Sequence, residues 1–361
     1  MRQRSLRTLL VLFTLVFSLG AHAENLRISA GMGQQHFWVG HFMDPFMKSM
    51  QAQSDLTFTP FYSGSLVTPG RELGALKSGI VSVAAPLLAP YHEGQFPLSD
   101  VTQLPTLNTN SVKETRALMA LMASDQTLVD GKTFYQYELG DKGLRGWAVG
   151  ATAAYSLSTT GKVLDDPDDL KGLPMRAGST LHTILLQELG ATPVTMTSAD
   201  SYEALSRKTV EGTILSVADW PSYSFQELLK YTITGLSMGH WESYLAVTEK
   251  TWNGFTDEQR RTWNEVAKKT AMDNAAYIDQ LEIQVRKGTA AKGATFVDLA
   301  DLPEPMRARL GEAASRTWVR WIEQMEKAGH PGRAAATQWA RLIREQGGEI
   351  PDGAARYLKL D

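Results

Sequence analysis

Asp168-Asp169-Leu170-Lys171-Gly172-Leu173-Pro174-Met175-Arg176-Ala177-Gly178-Ser179 opens a stretch that runs to Trp220 and decides the fold. Leu181, Ile184, Leu185 and Leu189 follow at helical spacing, and Gly190 closes that run. Pro193-Val194-Thr195-Met196 is short and extended. A second helical pattern, capped by Ser198, carries Tyr202, Ala204 and Leu205, and Thr213-Ile214-Leu215-Ser216-Val217 then leads to Asp219-Trp220. Strand, helix, strand, helix, strand in this order predicts a parallel sheet covered by helices. Arg176 stands at the carboxyl end of the first strand, the end at which open α/β sheets bind ligands. A guanidinium there, beside free helix N–H groups, suits a two-pronged grip on a carboxylate.

Working back from this stretch, residues 1–23 read as a secretory signal peptide. Arg2, Arg4 and Arg7 are basic, Leu9 to Leu19 are mostly apolar, and Ala21-His22-Ala23 is a small-x-small cleavage site. The apolar run is too short to span a bilayer, so cleavage after Ala23 and export are expected. The chain has 361 residues and no cysteine, so neither a disulfide framework nor thiol chemistry is available to it. A formal charge of -3, with both signs mixed along the chain, gives no electrostatic case for nucleic acid or an anionic membrane surface.

The first mature strand is Asn25 to Ala30. The turn after it, Gln34-Gln35-His36-Phe37-Trp38, lies where a ligand would, which makes Phe37 and Trp38 candidate pocket residues. The stripe continuing through Phe42, Phe46, Met47 and Met50 is core. Strands are predicted at Leu56 to Phe61 and Ile80 to Ala85, with a helix between them at Arg71 to Lys77. The loops after these strands, including Tyr62-Ser63-Gly64-Ser65-Leu66, are rich in Gly, Ser and Pro, so backbone can approach a ligand closely; Ser65 is the candidate there. Leu144 to Val149 is a strand carrying Trp147, and Ala151 to Thr160, small and polar, reads as a crossing segment. Asp165 to Asp169 is a solvated turn and helix start rather than a metal site. Gly239 to Val247 is a further strand with Trp241 near its start. From Asp257 to about Gly288 the helical pattern is much longer than a typical helix, which suits an element lying across two domains. Phe296 to Leu299 is a short strand; Arg307 to Ala328 and Ala334 to Gln346 are amphipathic helices.

Five pieces of the chain occur in an order and spacing that carry a family resemblance: Tyr62-Ser63-Gly64-Ser65-Leu66, Phe96-Pro97-Leu98, Asp169 to Arg176, Leu189-Gly190-Ala191-Thr192-Pro193-Val194, and Tyr202-Glu203-Ala204-Leu205 with Val210-Glu211-Gly212. Over nearly the whole mature length the chain resembles the DctP-type solute-binding proteins of TRAP (tripartite ATP-independent periplasmic) transporters. The resemblance implies a two-domain α/β periplasmic binding protein, type II-like. Each domain would hold a mixed, mostly parallel sheet flanked by helices, with a long helix bridging both. It also implies that an arginine at the position of Arg176 clamps the carboxylate of an organic acid, with no cofactor, no metal and no catalytic residue. The expected boundaries are residues 24–148 plus about 239–275 for the first domain and 149–238 plus about 276–345 for the second, the C-terminal helices packing across both.

Two departures from the family pattern bear on the ligand. Where many carboxylate binders of the family carry a second arginine, this chain has Tyr155 and Ser156; the usual asparagine falls near Leu215 or Ser216. The strand ends offer Trp38, Trp147, Tyr155, Trp220, Trp241, Tyr244 and Asp219 instead. The leading expectation is a monomeric periplasmic receptor delivering a small carboxylate to the membrane subunits of a TRAP transporter. The alternative is an amine or other cationic solute held by Asp219 and an aromatic cage. An enzyme is the rival class, but His36, His92, His182 and His240 lack metal-ligand spacing, and Ser179 with His182 lacks an orienting third group. A receptor that feeds a sensor partner would carry the same cleft.

Overall fold

The computed structural model describes residues 25–360, so the expected signal peptide lies outside the described residues. Two mixed sheets organise the chain. The first has the order β2-β1-β3-β12-β6, with β1 Asn25–Ser29, β2 Thr57–Phe61, β3 Val83–Leu87, β6 Leu144–Ala148 and β12 Tyr244–Thr248. In this sheet β1 pairs in parallel with β2 and β3, while β12 runs antiparallel to β3 and β6. The second has the order β13-β11-β7-β10-β8-β9, with β7 Tyr155–Thr159, β8 Pro174–Ala177, β9 Thr192–Thr195, β10 Gly212–Ser216, β11 Tyr231–Thr234 and β13 Thr295–Asp298. The predicted strand-helix-strand-helix-strand unit is its β8, β9 and β10, with β8 parallel to both others and helices Thr180–Leu189 and Ser198–Ser206 between them.

The segment 151–160 is not the simple crossing its composition suggests. Residues Tyr155–Thr159 form β7, a fully buried strand at the middle of the second sheet, antiparallel to β10 and β11. The polar side chains that disguised it are satisfied locally: the Thr232 hydroxyl donates to Ser158 at 3.0 Å, and Thr159 donates to the Lys162 carbonyl. The true crossing is 149–154. Further differences from expectation are modest. β3 is shifted towards Leu87, β12 begins only at Tyr244, and a short hairpin of β4 Thr127–Val129 and β5 Lys132–Thr133 and a last helix Asp352–Leu358 had no clear pattern.

A single helix, Asp257–Ala290, spans 34 residues. A capping box starts it: the Thr256 side chain accepts from the Gln259 N–H and the Gln259 side chain accepts from the Thr256 N–H. Its buried stripe, including Trp263, Val266, Ala271, Asn274 and Ile278, packs on the helices Asp44–Gln53 and Ser111–Ala123 of the first lobe. It also touches the turn Val217–Asp219 and β13 of the second. The chain crosses between the sheets at 149–154 and again at 235–243. Asn274 fastens the first crossing by donating to the Val149 carbonyl at 2.8 Å.

Candidate functional site

The segments that follow the carboxyl ends of β1, β2, β3, β9 and β10 line one cavity of about 510 Å³ between the two sheets. The first lobe contributes the turn Gly31 to Trp38, Ser63 and Tyr91; the second contributes Tyr155, Thr197 to Ala199, Asp219 and Tyr223, and Trp241 comes from a crossing segment.

Arg176 is the last residue but one of β8, has 1% of its surface exposed, and is tied to the cavity through the lining residue Ser198. Its Nε donates to the Met196 carbonyl at 3.1 Å, Nη1 to the Ile214 carbonyl at 3.3 Å and Nη2 to the Ser198 hydroxyl at 3.1 Å. A guanidinium has five N–H groups, so two remain on the Nη atoms, and a hydrogen bond to the Tyr91 hydroxyl takes one of them. The Tyr91 hydroxyl faces the guanidinium from the other lobe. Among the described residues no acidic side chain forms an ion pair with Arg176. A Cβ at Gly178 would sit 2.6 Å from Nη2 and 2.9 Å from Cζ, so only glycine leaves the guanidinium where it is. Ser198 is free for Arg176 because it is not the helix cap the sequence suggested; Thr197 is, its hydroxyl accepting from the Asp200 N–H. The start of that helix, with its unpaired N–H groups, therefore points into the same corner as the arginine.

Asp219 forms the other polar end. Its Oδ2 accepts from the Ser216 hydroxyl at 2.6 Å, and Oδ1 lies 3.3 Å from Nε2 of His36, which comes from the first lobe. The Trp38 N–H donates to His36 Nδ1 at 3.2 Å, so Nδ1 is the unprotonated nitrogen and Nε2–H points at Asp219. Rings separate the two ends: Trp38, Tyr91, Tyr155, Tyr223 and Trp241. Burial pushes the Tyr91, Tyr155 and Tyr223 hydroxyls above the usual phenol range, and the Asp219 charge adds to it, so all three stay protonated as donors. The Trp38 indole N–H is committed to the Gly150 carbonyl at 2.7 Å, whereas the buried Trp241 Nε1 has no protein partner.

The structure thus gathers Trp38, Tyr155, Asp219 and Trp241 around one space, with Arg176 behind its lining residue Ser198. Four other expected pocket residues sit elsewhere. Phe37 is buried in the main core, packed edge-on against Trp38 with ring centroids 5.4 Å apart. Trp147 lies on the opposite face of the edge strand β6, donating to Asn264 at 2.8 Å and packing on Trp252 and Trp263; residue alternation along a strand carried it away. Trp220 is fully buried and stacks on Phe296 at 5.9 Å, while Tyr223, three residues on, faces the cavity. Ser65 is exposed, and Ser63 is the hydroxyl of that loop at the cavity. The residues the sequence reading did not single out, His36, Tyr91, Ser198 and Tyr223, all follow strand ends, the signal that located Arg176. Ser179 is a helix cap accepting from the His182 N–H, and both His182 ring nitrogens lack protein partners. Burial, helped by the Arg176 charge, lowers the His182 pKa to about 3. Nucleophile and base are therefore not coupled.

A sequence profile of the bacterial extracellular solute-binding proteins, family 7 (DctP), matches residues 32–324. The chain belongs to this family. A solute-binding protein of Albidiferax ferrireducens is 23% identical over 302 residues, 80% of this chain and 85% of that protein. Among solved structures, a marine-metagenome TRAP solute-binding protein specific for aromatic acids superposes with a TM-score of 0.78 at 21% identity, over 90% of this chain and 99% of that one. A TRAP solute-binding protein of Rhodoferax ferrireducens with copurified benzoate does so with a TM-score of 0.76 at 22% identity, over 90% and 98%. This DctP-type chain therefore shares the two-lobed fold of TRAP receptors, and like them it is a solute receptor and not an enzyme.

Proposed function

We propose that the protein is a periplasmic receptor that holds a small organic acid between its lobes and presents it to the membrane subunits of a TRAP transporter. The observation that carries this is Arg176, a guanidinium with 1% exposure and no acidic ion-pair partner among the described residues, held only by two carbonyls and by the Ser198 and Tyr91 hydroxyls. A buried charge without a counter-charge is costly, and a ligand carboxylate at the fork relieves that cost. Neighbouring helix N–H groups and the Tyr91 hydroxyl favour the same anion. The lobes meet across the ligand space through His36–Asp219 and through Tyr91 beside Arg176, so binding and lobe closure are coupled. Export through the segment 1–23 supplies the location. A cationic solute in an aromatic cage has no comparable support, since the Arg176 charge acts on the same Tyr91, Tyr155 and Tyr223 rings that would form the cage.

Calorimetric titration with benzoate and other small carboxylates tests the reading. Arg176→Ala should weaken binding by about 2–5 kcal/mol, the range for truncating one partner of a buried charged pair. Arg176→Lys should not restore it, because the planar fork is lost. Undiminished binding in Arg176→Ala overturns the assignment.

A further inference from the structure

The cavity has two unlike ends, and the second one restricts which organic acid fits. No Arg or Lys lines this cavity among the described residues; Arg176 stands behind its lining residue Ser198, so one carboxylate can find a counter-charge there and a second cannot. Asp219, 3% exposed, lines the same cavity as an anion that repels a second carboxylate. Asp219 is held in place rather than neutralised. Ser216 donates to one oxygen, and His36 faces the other with its Nε2–H, the Trp38 N–H having fixed the tautomer. A carboxylate offers about four lone-pair sites, so each oxygen can accept one further hydrogen bond. The group that satisfies them is a donor on the ligand. Between the ends stand Trp38, Tyr91, Tyr155, Tyr223 and Trp241, whose flat faces suit a planar ring better than a flexible chain.

We infer that Asp219, set by His36, is the specificity-determining residue of the cavity, selecting aromatic acids that carry a single carboxylate and a hydroxyl on the ring. The inference rests on the organic-acid reading above. It assigns the carboxylate to Arg176 and the hydroxyl to Asp219. A ring acid without the hydroxyl leaves the Asp219 lone pairs unmatched in a dry site, a loss felt as affinity. A ring diacid places two carboxylates face to face. Because His36 and Asp219 come from different lobes, a hydroxyl inserted at this pair also ties the lobes together.

The test is a calorimetric panel on the mature protein: benzoate, the three hydroxybenzoates and isophthalate, in which a carboxylate replaces the 3-hydroxyl. Wild type should bind at least one hydroxybenzoate ten-fold or more tighter than benzoate and should show no measurable heat with isophthalate. Asp219→Asn, which keeps shape and removes charge, should shrink the hydroxyl preference at least five-fold and bring isophthalate into the measurable range. His36→Gln, which frees the Asp219 carboxylate without removing it, should reduce hydroxybenzoate affinity yet still exclude isophthalate. Wild-type binding of isophthalate as tight as that of the hydroxybenzoates overturns the inference, whether or not Asp219→Asn folds. So does an unchanged hydroxyl preference in a folded Asp219→Asn protein. Binding of benzoate and isophthalate alike would leave the organic-acid reading standing and remove only the selectivity. Silence of every acid in the panel overturns the inference, and equal binding by Arg176→Ala would overturn the organic-acid reading instead.

Discussion

Gly178→Ala is the sharpest probe of Arg176 because it alters neither the arginine nor any of its hydrogen-bond partners. An added Cβ would stand 2.6 Å from Nη2 and 2.9 Å from both Cζ and Nη1. Ordinary contacts between such atoms are about 3.5–4.0 Å, so the guanidinium must retreat by roughly 1 Å. Its hydrogen bonds at 3.1, 3.3 and 3.1 Å have no slack for that movement and at least one breaks. One hydrogen bond to a charged group is worth about 1.5–3 kcal/mol, and the ligand's own fork is misaligned by the same shift. Carboxylate affinity should therefore fall roughly 10- to 150-fold. Calorimetry with the tightest-binding acid measures it, with a melting curve alongside to establish that the protein remains folded. An affinity within three-fold of wild type, in a protein where Arg176→Ala loses binding, would refute the reasoning: the pinned position of the guanidinium would then not matter.

Stability should also depend on pH in a definite sense. Burial pushes Glu114 up to about 8 and Glu138 to about 7, and burial with the Glu138 charge raises Asp100 to about 7. Above the unfolded carboxylate range the folded protein keeps protons that the unfolded chain releases, so these groups make stability fall as pH rises to about 8. His182 and His240, held at about 3 and 4 by burial, act oppositely but only below the unfolded value of 6.5. Between pH 6.5 and 8 the carboxyls act alone. Tm should therefore drop across that interval, and Glu114→Gln should reduce the slope; a Tm that rises from pH 6.5 to 8 would contradict this. Gly239→Ala should destabilise by about 3 kcal/mol or more, since φ is +97° and a Cβ would overlap the Gln103 backbone. Chemical denaturation checks it, and a loss below about 1 kcal/mol would count against the crossing at 235–243 being tightly seated.

The second sheet was legible where periodicity and punctuation agreed. Gly172, Pro174 and Gly190 bracket β8 and its helix, and the apolar positions between them are the buried ones. It was illegible at β7, because Tyr-Ser-Leu-Ser-Thr has no apolar signature; only the partner hydroxyls of neighbouring strands make its burial affordable. Arg176 was expected near the end of a strand, and β8 places it there. Trp147 and Trp220 show the limit of that rule: a strand end fixes where the backbone points, not which side chain of an alternating or helical pair turns inward. His36 and Asp219 meet only because two lobes far apart in the chain are brought together, and no local pattern encodes that distance.

The 34-residue helix has a mechanical role that follows from its length. At 1.5 Å per residue it is about 50 Å long, fastened to one lobe at its start and touching the other near its end. A rod of hydrogen-bonded turns resists stretching far more than it resists bending. If the lobes part, the rod would have to flex as a leaf spring does, with 149–154 and 235–243 as the pivots. Its stiffness would then set how far the cleft swings and give the opened molecule a restoring force.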